Sequence, residues 1–138
     1  MAINLDSYLG VHASALKLRE QRTELLARNL ANADTPGYKS QDLDFRAALS
    51  AAAPGGSPAG MQATQSKHFS TAGAAALEPG STEAFLRYRT PLAPSLDGNT
   101  VDAQLEQAAF ADNAVRYQAT LNFLSSKFRS LMTAITGQ

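Results

Sequence analysis

The C-terminal part of the chain carries a heptad pattern, and this feature constrains the fold more than any other. Mostly apolar residues recur at alternating spacings of four and three, and they are Ala103, Gln107, Phe110, Ala114, Tyr117, Leu121, Leu124, Phe128, Leu131 and Ile135. Such a repeat over more than four heptads predicts a long helix that packs against other helices. We expect this helix to start with Asn99 or Thr100 as its N-cap, to run to about Thr136 and to be closed by Gly137.

A second helix is predicted from about residue 4 to residue 33. Its seam has the same spacing, with polar members in the middle, and consists of Leu5, Leu9, His12, Leu16, Arg19, Thr23, Leu26, Leu30 and Ala33. A neighbouring stripe consists of Val11, Ala15, Leu18, Arg22, Leu25 and Asn29. The apolar face is therefore wide but interrupted. Pro36 disfavours helical backbone at Thr35, so we expect the helix to end near Ala33 or Asp34.

The stretch NLANADTPGYKSQDLDF, residues 29–45, ends this first helix abruptly. Proline and glycine occupy the two central positions of Thr35–Tyr38, as in a type II turn. The side chains of Asn29, Asn32 and Asp34 are suited to bond the loose carbonyls and amides around the helix end. The predicted helix-end turn motif comprises Asn29, Ala31, Asn32, Asp34, Thr35, Pro36, Gly37 and Tyr38.

Residues 40–100 contain little sequence that is typical of a core. The stretches AALSAAAPGGSPAG and TAGAAALEPGST are rich in alanine, glycine, proline and serine, which indicates flexible loops. The stretch FLRYRTPL alternates weakly and predicts an edge strand that is limited by Pro91. Asp42 and Asp44 of DLDF are assigned to a solvated loop. We expect at most a small irregular subdomain that contains some β structure.

These elements predict a mainly α fold in which the terminal helices pair as an antiparallel coiled-coil-like domain. The expected divisions are 1–36 for the first helix, 37–98 for the middle segment and 99–138 for the second helix. No third helix is evident, so the second stripe and the row Val101, Leu105, Ala108, Val115 and Ala119 need other partners, as in an assembly subunit. The predicted helix-packing and assembly residues are Leu5, Leu9, Leu16, Leu26, Leu30, Phe110, Ala114, Tyr117, Leu121, Leu124, Phe128, Leu131 and Ile135.

Composition excludes several functional classes. Twelve basic and twelve acidic residues give no net charge, which argues against nucleic acid as a partner. The absence of cysteine excludes disulfides, Cys-based zinc sites and thiol nucleophiles. His12 and His68 are isolated, and no phosphate-loop or GxSxG motif occurs. We therefore expect no enzyme activity, no cofactor, no metal and no small-molecule substrate. No apolar run reaches the length of a membrane span, and the N-terminus lacks the features of a cleavable signal peptide.

Residues 29–45 closely resemble the Asn-x-Ala-Asn-x-x-Thr-Pro-Gly-Tyr signature of bacterial flagellar axial proteins, the rod and hook components. The DLDF continuation, the length and the DGNTVD stretch before the last helix are most similar to the proximal rod members of that family. The resemblance covers roughly residues 4–46 and 96–136. It implies a structural subunit whose paired terminal helices line a tubular rod that transmits torque and forms part of an export channel.

The resemblance also implies partners and a route. The partners would be other copies, other rod proteins, the adaptor between the MS-ring and the rod, and the flagellar export gate. The subunit would leave the cytoplasm unfolded through the flagellar type III apparatus, without a cleaved signal peptide, and would lie on the periplasmic side of the inner membrane. The alternative is a cytoplasmic helical chaperone or adaptor of a type III export system with a dimeric four-helix core. That alternative explains the seams but not the TPGY turn.

Overall fold

Two long helices dominate the computed structural model, which describes residues 9–53, 83–91 and 93–137. Helix α1 spans Val11–Ala31, strand β1 Gln41–Leu43, helix α2 Phe45–Ala52, strand β2 Leu86–Tyr88 and helix α3 Ala103–Thr136. A single 3-10 turn, Glu83–Phe85, precedes β2. The predicted mainly α fold, with paired N- and C-terminal helices and a short irregular middle part, is confirmed. Leu5, His68 and most of the two Ala-Gly-Pro-rich stretches lie outside the described residues.

The two long helices run antiparallel, and polar side chains fill the centre of their contact. On α3 the buried residues are Glu106, Asn113 and Thr120, which are spaced by seven. Asn113 Nδ2 donates to the Arg19 carbonyl at 2.9 Å and to Thr23 Oγ1 at 2.9 Å. Arg19 Nε donates to Thr120 Oγ1 at 3.2 Å. Residues later in α1 therefore contact residues earlier in α3, as in an antiparallel pair of helices.

The contact between the helices continues toward the start of α1. The rings of His12 and Phe123 lie 6.1 Å apart, centroid to centroid. Arg19 also places its guanidinium 4.5 Å from the centroid of the Phe45 ring, so this side chain links α3 to α2. Through Arg19, the helix pair is thus in direct contact with the middle segment.

A small apolar core lies on the other side of α1. It consists of the buried residues Leu18, Leu25, Leu43 and Ala48, with Phe45, Leu49, Phe85 and Leu86 packed around them. Leu18 and Leu25 belong to the stripe that we expected to need partners outside the chain. That expectation was wrong for these two residues, because the middle segment covers them.

Two expectations for the middle segment were also wrong. Residues 45–52 form an amphipathic helix rather than a flexible loop, since the Asp44 side chain accepts a hydrogen bond from the Ala47 amide at 3.1 Å and Ala48 is buried. Asp42 does not lie in a solvated loop but in β1, which pairs antiparallel with β2 in the register Asp42↔Arg87. The single strand predicted around FLRYRTPL is therefore half of a two-stranded ribbon.

The end of α1 and the start of α3 both differ from the expected positions. Helix α1 ends at Ala31, two residues early, with Asn32 as its C-cap. Helix α3 is capped by Asp102, whose carboxylate accepts from the Gln104 and Leu105 amides at 3.0 and 3.2 Å, and not by Asn99 or Thr100. The far end agrees with the prediction, because Gly137 closes α3 with φ 74° and its amide bonds the Thr133 carbonyl at 2.8 Å. No helix in the described part of the chain is long and apolar enough to cross a membrane.

Candidate functional site: the helix junction and the exposed face of α3

The two stretches that carry sequence signatures lie side by side. The Gly37 amide donates to the Asp97 carbonyl at 2.9 Å, and the Thr100 amide donates to the Tyr38 carbonyl at 3.0 Å. The fully buried Ser40 donates its amide to Thr100 Oγ1 at 2.8 Å. The exit of α1 is therefore joined to the approach to α3. We call this region, residues 29–42 together with 95–106 and Arg89, the junction.

The turn at Thr35–Tyr38 has the features expected of type II. The Tyr38 amide donates to the Thr35 carbonyl at 3.3 Å, and Gly37 has φ 74°. A Cβ atom at Gly37 would meet nothing within 4 Å, so the backbone conformation, and not a lack of space, favours glycine here.

Asn29 is the hydrogen-bonding centre of the junction, and only 1% of it is exposed. Its Nδ2 donates to the Gln41 carbonyl at 2.7 Å and to Glu106 Oε2 at 3.2 Å. Its Oδ1 accepts from the Gln41 amide at 3.2 Å and from the Tyr38 hydroxyl at 3.3 Å. All four bonds of the amide group are thereby made. One side chain ties the last turn of α1 to the turn, to β1 and to α3.

Two carbonyls just beyond the end of α1 accept hydrogen bonds from the opposite stretch. Asn99 Nδ2 donates to the Asn32 carbonyl at 3.2 Å and to the Ala33 carbonyl at 2.6 Å. Asn32 itself donates to the Arg28 carbonyl at 2.8 Å, whereas the Asp34 carboxylate accepts no backbone amide among the described residues. Asn99 therefore caps the end of α1 instead of the start of α3. The DGNTVD stretch alone does not reveal this role, because the bond depends on a partner more than sixty residues away.

A network of alternating charges underlies the junction. Arg22 binds Asp42 with two hydrogen bonds of 2.9 Å, and Arg89 Nη2 contacts Asp42 Oδ2 at 2.6 Å. Arg89 Nη1 donates to Oε1 of Glu106 at 3.0 Å, and Glu106 is only 2% exposed. Arg89 thus joins β1 to α3, and two carboxylates face two guanidinium groups.

The environment of Asp42 favours its charged form. Burial by itself raises the pKa of Asp42, but hydrogen bonds from Arg22 and Arg89 outweigh burial and hold that pKa below its ordinary value. The hydrogen bond to Asp42 correspondingly raises the pKa of Arg22. Within residues 9–53, 83–91 and 93–137, no three His, Cys, Asp or Glu side chains are placed to hold a metal ion. The arrangement is suited to holding segments together.

The predicted site residues fall into two groups in the structure. In the turn motif, Asn29 is buried, Asn32 and Tyr38 are half-buried, and the remaining members, Ala31, Asp34, Thr35, Pro36 and Gly37, are exposed. Sequence reasoning missed Ser40, Asn99, Glu106 and Arg89. A usable signal was present in the polar residues Arg22 and Asn29, which interrupt an apolar stripe and therefore need buried polar partners.

The predicted packing and assembly residues are covered to very different extents. Leu26 is fully buried, whereas Leu9, Leu16, Leu30, Tyr117, Leu121, Leu124 and Leu131 are half-buried and Phe110, Ala114, Phe128 and Ile135 are exposed. Further large apolar side chains are exposed as well, namely Val11, Leu105, Val115, Phe123 and Met132. Most of them lie along α3, and we use the term exposed face of α3 for the part of its circumference outside the contact with α1. Residues 105, 110, 115, 123, 128, 132 and 135 are exposed there, over more than half of the circumference.

Comparison with known proteins identifies the family. The model of the family described as flagella basal body rod protein matches residues 9–39. The chain is 48% identical over 130 residues to the flagellar basal body rod protein FlgB of Cereibacter sphaeroides, with 94% of each chain covered. The chain belongs to the FlgB family of flagellar basal body rod proteins. It is also 42% identical over 139 residues to FlgB of Aeromonas hydrophila, covering 100% of this chain and 99% of the relative.

A third relative agrees, since FlgB of Escherichia coli K12 is 42% identical over 139 residues, covering 98% of this chain and 97% of the relative. This FlgB-family chain is a structural subunit of the flagellar basal-body rod. As a rod protein it assembles with itself and with other flagellar components, and it is located in the basal body. The family assignment favours a rod subunit over a cytoplasmic chaperone or adaptor.

Proposed function

We propose that the chain is a proximal rod subunit whose helix pair forms part of the wall of a torque-transmitting tube around an export channel. The observation that supports this proposal is that polar side chains are buried between the two long helices, whereas large apolar side chains of α3 are exposed. Glu106, Asn113 and Thr120 are buried between the helices, while Val115, Met132 and Ile135 are 71%, 63% and 80% exposed. A helix that exposes this much apolar surface is suited to packing against neighbouring subunits.

The small core supports the same proposal. Among the described residues, the buried hydrophobic side chains are Ala15, Leu18, Leu25, Leu26, Leu43 and Ala48. All of them lie on α1 or in the middle segment, so α3 contributes no fully buried apolar residue to the isolated chain. Neighbouring subunits would cover its exposed face and complete the hydrophobic core. The role is structural and involves no catalysis, cofactor or small-molecule substrate.

The proposed route to the rod is export in an unfolded state through the flagellar type III apparatus, without a cleaved signal peptide. A chain without cysteine forms no disulfides that would obstruct such passage. Because the core has few residues, unfolding before export also requires little free energy. The proposed neighbours are other copies of the chain, other rod proteins, the adaptor between the MS-ring and the rod, and the export gate. The subunit itself would lie in the rod, on the periplasmic side of the inner membrane.

The experiment is to locate an epitope-tagged chain in cells that build flagella. We expect the tagged protein to co-purify with isolated basal bodies and to support motility when it is the only copy. A matched strain with the tag on an unrelated cytoplasmic protein controls for contamination. Recovery of a motility-supporting tagged chain only from the soluble cytoplasmic fraction would overturn the proposal.

A further inference from the structure

An apolar groove lies near the far end of α3. It has a volume of about 370 Å³ and is lined by Leu121, Leu124, Ser125, Phe128, Arg129 and Met132. Arg129 is exposed at its margin, and no carboxylate in the described ranges forms an ion pair with it. The groove therefore offers apolar walls and one positive charge to a neighbour.

A matching projection occurs at the opposite end of the helix pair. Leu96 is fully exposed at the tip of a turn in which the Gly98 amide donates to the Ser95 carbonyl at 3.3 Å. The Asp97 carbonyl is held by the Gly37 amide, and the Ser95 hydroxyl bonds the Asn99 carbonyl. These hydrogen bonds already order the backbone of the turn, so little further backbone entropy is lost when Leu96 binds. Leu96 is therefore suited to act as an anchor.

The residue next to this projection complements the groove in charge. Asp97 is exposed, and a hydrogen bond from the Asn99 amide holds its pKa below the ordinary value, so the carboxylate is charged at neutral pH. With Leu96 in the groove, Asp97 would stand at the margin where Arg129 is exposed. An apolar anchor beside a carboxylate thus complements an apolar groove beside a guanidinium group.

The projection and the groove of one chain are too far apart to meet. Hydrogen bonds to Gly37, Asn32 and Ala33 hold residues 97–99 at the end of α1, beside the start of α3. From Ala103 to the groove residues at 121–132, a straight helix rises about 27–44 Å. Contact between the two is therefore possible only between different molecules, and it joins unlike surfaces.

We propose that the groove on α3 receives the Leu96–Asp97 turn of a second copy of this chain, in a head-to-tail contact. Such a heterologous contact leaves a free groove on one copy and a free turn on the other, so further copies can add to it in a ring or along an open helix. This proposal rests on the rod function argued above and deepens it, because it names the surfaces by which copies join. The apolar anchor supplies attraction, and the Asp97–Arg129 pair fixes the direction.

The test uses the absence of native cysteine. A chain with Leu96→Cys and Met132→Cys is expressed as the only copy, and isolated basal bodies are treated with an oxidant. We expect disulfide-linked multimers of this chain on a non-reducing gel, because a side chain seated in the groove brings the two Cβ atoms within bonding range. The matched control pairs Leu96→Cys with Val115→Cys, which is equally exposed but lies about 100° around the helix.

A second measurement uses Leu96→Ala, which leaves the backbone of the turn unchanged. We expect at least a tenfold loss of chain incorporated per basal body at limiting expression, about the effect of removing one buried leucine side chain. Normal incorporation of Leu96→Ala would contradict the proposal.

The remaining outcomes separate the alternatives. If the double-cysteine chain is present in basal bodies and forms no multimers, the docking proposal fails while the rod function stands. Linkage to a different rod protein would also overturn it, since the occupant would not be a second copy. A disulfide within one chain between Leu5→Cys and Met132→Cys would assign the groove to the chain's own N-terminal segment. Absence of the unmodified chain from basal bodies would instead refute the rod function itself.

Discussion

The junction and the last part of α3 differ in how much of their structure one chain can determine. In the junction, Asn29, Ser40, Asn99 and Glu106 are each at most 6% exposed, and all are hydrogen-bonded to other segments. Beyond Thr120, no residue of α3 is fully buried within the described structure, and Phe123, Phe128, Met132 and Ile135 are exposed. The comparison indicates that the junction is specified within the chain, whereas the end of α3 leaves apolar side chains that neighbours would cover in the proposed assembly.

The two regions also use different interactions. Buried hydrogen bonds and ion pairs are directional, so they define one register and one exit angle at a cost in desolvation. Apolar contacts are less directional and tolerate several neighbours. In the proposed rod subunit, this division of roles would fix the orientation of the middle segment relative to the helix pair and leave the packing along α3 adaptable. The predictions below test the contrast, from the largest expected effect on the folding of the isolated chain to the smallest.

Arg89→Met should have the largest effect. The substitution leaves Glu106 buried without its guanidinium partner and removes one of the two guanidinium partners of Asp42, so we expect a loss of about 3–5 kcal/mol in the free energy of unfolding. Urea denaturation of the purified chain, followed by circular dichroism, measures this loss. The control is Arg116→Met, which breaks the exposed i,i+4 pair with Asp112 and should cost less than about 1 kcal/mol. Equal effects of the two variants would mean that the junction is not the stabilising region.

The sequence was a good guide where the structure depends on local pattern. The two long helices, the end of α3 at Gly137 and the turn at Thr35–Tyr38 follow from periodicity, proline and glycine. The roles of Asn99, Ser40 and Glu106 could not be predicted, because each bonds a residue that is distant in the chain. Helix α2 was missed because alanine-rich sequence does not reveal burial, which here requires the face of α1 that carries Leu18 and Leu25.

The face of α3 that is turned toward α1 could not be predicted from the sequence either. The heptad seam predicts one apolar face, but Glu106, Asn113 and Thr120 turn a neighbouring face toward α1. Their hydrogen bonds to Asn29, Arg19 and Thr23 decide the rotation of the helix, since an unpaired buried polar group costs more than an exposed apolar one. A seam that is apolar by pattern thereby becomes available to other subunits.

Gly37→Val should have the next effect. Valine is strained at the observed φ of 74°, so we expect a loss of about 1–3 kcal/mol and a shifted path for residues 38–42. If the chain is exported unfolded, as proposed, the variant should appear in culture supernatant but not in basal bodies, as measured by immunoblot. Gly37→Asn is the control, since asparagine tolerates positive φ. Normal incorporation of Gly37→Val would show that the turn geometry is dispensable, and loss of export would indicate recognition by the export machinery.

Acidification should weaken the junction through Asp42. Its pKa is lowered by folding, so its contribution to stability is present above the ordinary aspartate pKa of about 3.9 and is lost as pH falls through the lower folded value. Below about pH 4, we expect the urea concentration at the unfolding midpoint to decrease with falling pH more steeply for the native chain than for Asp42→Asn. Asp112→Asn, at the exposed pair, should retain the native slope. Identical slopes for all three chains would remove Asp42 from the pH response.

Phe128→Asp should have the smallest effect on the isolated chain and a large one on the assembly. Phe128 is 42% exposed, so aspartate in its place is accessible to water and should change the unfolding free energy by less than about 1 kcal/mol. In the rod, the same carboxylate would replace apolar contact area and lose its hydration in the groove or beside a neighbouring helix, which is strongly unfavourable. We therefore expect native-like denaturation of the purified variant but loss of motility and of incorporation into basal bodies. Ser126→Asp, exposed on another side of α3, should leave both unchanged.

If Phe128→Asp instead unfolds the purified chain, the end of α3 belongs to the monomer's own core and the contrast with the junction is wrong. If the variant supports full motility, this face of α3 is not an interface between rod subunits.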